Sequence, residues 1–110
     1  MATAKKELFE SELQETAGLF KALSHPARLQ ILLFLSQTKT CISGDISEEL
    51  PLSRTTVNQH LKELKESGLI RGQVEGAKVN YCLNPDQIAA MKIAISQFMN
   101  QIRTDTNNCC

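Results

Sequence analysis

The chain has 110 residues, 42% of them hydrophobic and 22% charged, with twelve Lys and Arg against twelve Asp and Glu. That length suits one domain with a small core, and no apolar run reaches the roughly 18–20 residues of a transmembrane helix. Few aromatics and no Trp exclude a stacking platform for single-stranded nucleic acid, while MATAKKELFESELQ lacks a signal peptide's apolar core.

The expected location is therefore the cytoplasm, where four Cys are free thiols or ligands rather than a disulfide framework. Residues 5–23 place Phe9, Leu13, Ala17 and Phe20 at helical spacing, with Leu19 and Leu23 beside them, which predicts a first helix. Ser24-His25-Pro26 breaks it, with Ser24 as the expected cap and Pro26 in the first turn of the next helix. PARLQILLFLSQ, residues 26–37, is apolar on most sides and predicts a central buried helix. TKTC reads as a loop, and Ser43-Gly44-Asp45 starts a short third helix that Pro51 closes.

Ser53 caps a fourth helix whose apolar stripe is Val57, Leu61 and Leu64, and Gly68 follows its last turn. The period then changes from 3.6 to 2. Ile70, Gly72 and Val74, then Val79, Tyr81 and Leu83, alternate with polar residues around the turn EGAK, which predicts a β-hairpin. Asn84-Pro85 opens the last helix, which carries Ile88, Met91, Ile95, Phe98 and Ile102 at steps of 3, 4, 3, 4. That a/d-like seam is the pattern a helix uses against a partner helix, or against its own subunit. The expectation is a single domain over residues 1–104, mainly α in the order ααααββα, with a polar tail at 105–110.

A short helix, the turn Leu50-Pro51-Leu52 and a helix with a polar first half make a helix-turn-helix. In it the second helix enters the major groove with its N-terminal residues at base edges. Arg54 can give two hydrogen bonds to guanine, Asn58 or Gln59 two to adenine, and the methyl of Thr55 can touch thymine. Ser53 and Thr56 suit phosphate, and His60 completes the polar set. The hairpin behind makes a wing, with Arg71 and Lys78 as the candidates to reach the adjacent DNA backbone or minor groove. Net charge is zero, but residues 54–83 hold Arg54, Lys62, Lys65, Arg71 and Lys78 against Glu63, Glu66 and Glu75.

LFKALSHPARLQILLFL, DISEELPLSRTTVNQHLKELKESGLI and VEGAKVNYCL together resemble the ArsR/SmtB family of winged helix-turn-helix repressors, over roughly residues 16–84. The resemblance implies a homodimer built largely from the first and last helices. It implies binding to an imperfect palindrome in double-stranded operator DNA, repression of transcription, and release by a small inducer, often a soft or transition metal ion.

Many members bind metal through Cys-x-Cys-Asp at the helix before the recognition helix. Here TCISGDI keeps Cys41 but has Ser43 at the second thiolate position. Others use Asp and His of the last helix, which here offers Asp86 and no His. A terminal Cys pair resembles members that hold trivalent arsenic with three thiolates. The candidate sensor is therefore Cys41 with Cys109 and Cys110, Cys82 being the substitute, for As(III) or another soft ion. No cofactor is required.

Two other classes compete. No Ser-His-Asp, Cys-His or paired-carboxylate constellation and no Gly-rich phosphate loop speaks for an enzyme. A winged helix that only binds protein, and a repressor switched by thiol oxidation or persulfide, remain alternatives.

Overall fold

The computed structural model describes residues 8–38, 42–43, 50–75 and 78–104. Its elements are α1 (Ser11–Ala22), α2 (Pro26–Gln37), β1 (Ile42–Ser43), α3 (Arg54–Glu66), β2 (Ile70–Glu75), β3 (Lys78–Leu83) and α4 (Pro85–Gln101). The short helix expected before Pro51 falls mainly on residues 44–49, outside the described residues. The start expected for it at Ser43 is strand instead. β1 pairs antiparallel with β3, Ile42 opposite Tyr81 and Ser43 opposite Asn80, so the hairpin becomes a three-stranded sheet in the order β1-β3-β2.

Local chemistry explains the helix boundaries. Ser53 caps α3, its Oγ accepting from the Thr56 N–H at 3.3 Å. Asn84 Oδ1 accepts from the Gln87 N–H at 3.5 Å at the start of α4, where Pro85 loses no helical hydrogen bond. Gly68 ends α3 with φ of +83°, the left-handed conformation that favours glycine, and an added Cβ would lie 2.9 Å from Gln87 Nε2. The cap of α2 differs from expectation. His25 holds it, its Nδ1 accepting from the Ala27 N–H at 2.9 Å, while Ser24 Oγ donates to the Lys21 carbonyl at 2.7 Å and closes α1 instead.

The core lies between α2, α3 and the sheet. Ile31, Val57, Leu64, Leu69 and Ile70 are fully buried, with Leu35, Leu50, Leu61 and Ala22 around them. Each of the large side chains contributes about 1.5–3 kcal/mol by leaving water. α2 buries one face, Ala27, Ile31 and Leu35, rather than all sides. Leu29 and Leu33 on its other face are 46% and 56% exposed.

α1 and α4 pack on each other outside this core. Of the stripe expected to bury α1, Phe9 and Leu13 are exposed. α4 has no buried residue along its 17 positions. Among the described residues no helix is long and apolar enough to cross a membrane.

Candidate nucleic-acid interface

α3 has two faces of different chemistry. Val57, His60, Leu61 and Leu64 are buried, at the i, i+3, i+4, i+7 spacing that brings one stripe of a helix to a core. Arg54, Thr55, Thr56, Asn58, Gln59 and Lys62 are exposed on the remainder. Thr55, Asn58, Gln59 and Lys62 line a surface groove with Glu63 and Glu66. Side chains of these types carry amide, hydroxyl and ammonium groups that match base edges and phosphates. Ser53 Oγ gives its proton to Thr56 Oγ1 at 3.0 Å, so these two hydroxyls first serve the cap.

His60 does not belong to this exposed set. It is 8% exposed and faces α2. Its Nδ1 accepts a hydrogen bond from Arg28 Nε at 3.1 Å, and its ring lies 4.3 Å from that of His25, centroid to centroid. The physical reason is position: six residues after Arg54, the helix has turned it to the inner side, between Val57 and Leu61. Arg28 also pairs with the Glu63 carboxylate, and its Nη1 donates to the Lys21 carbonyl at 3.1 Å. Burial pushes the His60 imidazole below its ordinary pKa, with the neighbouring His25 and Arg28 adding to it and Glu63 opposing.

Sequence reasoning missed Arg28 and Lys62. Lys62 lies one turn beyond Asn58 on the same face, so helical spacing could have found it. Nothing local marks Arg28, because its partners His60 and Glu63 lie more than thirty residues away.

In the wing, Arg71 on β2 is exposed and pairs in register with Cys82 on β3, on the face opposite Tyr81 and Leu83, which pack on the core. Lys78 is paired with Glu75 at the hairpin end, and its side chain lies outside the described set.

The candidate sensor thiols Cys41, Cys109 and Cys110 lie outside the described residues. Cys82, the expected substitute ligand, is disulfide-bonded in this structure. Among the described residues no group of three His, Cys, Asp or Glu could hold a metal ion.

The stripe expected at a partner helix is largely engaged within the chain. Ile88 and Met91 pack against the core, and Phe98 meets Phe20 of α1. Ile95 is half-buried, and Ile102 is 54% exposed. Most of the expected seam thus meets the chain's own core and α1, while Ile102 stays on the outward surface of α4. Ile93, Met99 and Ile102 supply the exposed apolar side chains.

The profile described as "Bacterial regulatory protein, arsR family" matches residues 25–71, from the cap of α2 into β2. The chain is 36% identical to "Transcriptional activator HlyU" of Vibrio cholerae over 82 residues, 74% of this chain and 75% of that protein. It is 33% identical to "Cadmium resistance transcriptional regulatory protein CadC homolog" of Staphylococcus aureus over 85 residues, 77% and 70% of the two chains. The fold resembles the solved "ArsR-like Transcriptional Regulator from Rhodococcus sp. RHA1" with a TM-score of 0.66, at 24% identity, over 81% of this chain and 83% of that one.

Proposed function

Because this chain belongs to the ArsR family of bacterial regulatory proteins, we propose that it binds a palindromic double-stranded operator as a cytoplasmic homodimer and represses transcription there. The observation that carries this reading is the division of α3: an apolar face seated on α2, and an exposed face of Thr55, Asn58, Gln59 and Lys62 beyond the cap at Ser53. A packing helix gains nothing from that outer set, whereas a major groove uses all of it. Arg54 at the first turn and Arg71 on the wing extend the contact to bases and backbone.

The dimer is supported by α1 and α4. Leu13, Ile93, Met99 and Ile102 are exposed apolar residues on and just beyond these two helices, and a long helix without a buried residue is half of an interface. Two recognition helices must also reach successive major grooves about 34 Å apart, which one chain cannot do.

The signal is thiol-directed. Cys82 carries a disulfide, which supports a signal read through thiol oxidation. Closing that bond from two thiols with peroxide yields the disulfide and two waters. A soft ion such as arsenite is the second reading, supported by the vicinal Cys109-Cys110 and by a relative named for cadmium resistance.

Operator affinity of the reduced full chain, measured with and without peroxide, arsenite and cadmium, tests both. Loss on peroxide that Cys82→Ser abolishes supports the disulfide switch. Loss on arsenite that the double change Cys109→Ser, Cys110→Ser abolishes supports the soft-ion site. No response to any of them overturns the thiol signal. Absence of salt-dependent retention on DNA overturns the DNA-binding reading itself and leaves a protein-interaction module. Expression of a reporter separates repression from the activation that the name of HlyU carries: removing this protein must raise it.

A further inference from the structure

Two imidazoles meet where α3 joins α2, their planes inclined by 42°, and each uses Nδ1 as an acceptor. His25 Nδ1 takes the Ala27 N–H at 2.9 Å and so caps α2. His60 Nδ1 takes the Arg28 Nε–H at 3.1 Å and so joins α3 to α2. An acceptor nitrogen holds its lone pair, so the His60 ring accepts from Arg28 in its neutral form, with its proton on Nε2. The two ring centroids are 4.3 Å apart.

Arg28 ties three elements at this point. Besides His60, it holds the Glu63 carboxylate on α3 and the Lys21 and Ala22 carbonyls at the end of α1. The charged and titratable groups that face His60 are therefore His25 and Arg28 from α2 and Glu63 from its own helix. Glu63 also lines the outer groove with Asn58 and Gln59, so Arg28 neutralises a carboxylate beside the surface assigned to DNA.

We propose that His60 and Arg28, packed against His25, form an acid-sensitive latch that positions α3 on α2, so that protonating His60 weakens binding to the operator. The proposal rests on the reading of α3 as the recognition helix. A proton on His60 Nδ1 replaces the acceptor with a donor aimed at a guanidinium, which breaks the bond. Asn58 and Gln59 directly precede His60 in α3, so a shift of the helix at this joint displaces the residues placed at base edges. In these terms Arg28 and His60 are positioning residues.

The direction of the effect is diagnostic. Acid makes any protein more cationic and so strengthens generic attraction to DNA. The latch predicts the opposite. Affinity of the full chain for its operator should fall about tenfold between pH about 7.5 and about 5.5. His60→Asn places an amide oxygen near the Nδ1 position, keeps an acceptor for Arg28 and does not titrate, so its affinity ratio between the two pH values should be near one or inverted. Wild-type binding that does not weaken in acid, or His60→Asn weakening as much as wild type, overturns the latch. Failure of both proteins to bind at neutral pH overturns the recognition-helix reading instead. If His60→Asn does not fold, imidazole nitrogen NMR of the wild-type chain decides. The expected result is a bare Nδ1 and a protonated Nε2 on His60, with α3 amide shifts following its titration. A protonated Nδ1 at neutral pH, or α3 amides blind to the titration, overturns it.

Discussion

Phe20 of α1 and Phe98 of α4 meet edge to face within one chain, their ring centroids 5.8 Å apart and their planes inclined by 68°. This contact closes the α1–α4 pair and assigns Phe98 to the chain's own packing, where such a pair contributes about 0.5–1.5 kcal/mol beyond its buried area. The apolar residues left outside are then the ones with a partner to find.

Dimerisation should accordingly be more sensitive to the outer face of α4 than to the stripe that meets α1. Ile93 is 59% exposed, so Ile93→Glu should leave the fold standing and give monomers by sedimentation, with tight binding to a palindrome lost. Phe98→Ala should instead lower the melting temperature first. A dimeric Ile93→Glu protein would move the interface to the α1 surface around Leu13.

Base readout should follow the exposed face of α3. Asn58→Ala or Gln59→Ala should cost about 1–3 kcal/mol on the operator and little on random DNA, measured as paired binding isotherms. Equal losses on both DNAs would reassign these side chains to phosphate.

The wing should act through charge. Arg71→Ala and Lys78→Ala should each weaken binding on all sequences and lower the slope of log affinity against log salt by about one. An unchanged slope for both would keep the hairpin off the duplex.

Stability should depend on pH through His60. Its folded pKa lies below the ordinary 6.5, so the unfolded chain takes up the proton first. The stabilisation is complete above pH 6.5 and declines as pH falls from there toward the lowered folded value, below which both states are charged. Thermal melting at a series of pH values should show this decline, and His60→Asn should remove it. A melting temperature that rises on acidification through this range would contradict the buried, neutral ring.

Much of this molecule is legible in its residues taken in order. Helical and strand periods are local properties, so α2, α3, the hairpin and α4 follow from apolar spacing with Ser53, Gly68, Asn84 and Pro85 as boundary signals. The polar outer face of α3 follows in the same way, because a helix that buries Val57, Leu61 and Leu64 must turn Thr55, Asn58, Gln59 and Lys62 outward. Tertiary structure decided what depends on distant partners. His60 belongs to the polar run of the recognition helix by composition, yet Arg28, thirty-two residues earlier, makes it a buried joint. Ser24 looks like a cap, but His25 reaches the free N–H first and Ser24 returns to α1. A 3-4-3-4 stripe on α4 is the same string whether it meets a second chain or the first helix of its own. The arrival of Phe20 at Phe98, and of the core at Ile88 and Met91, shows what covers part of the stripe within the chain, because period reports which residues share a face and not what covers it.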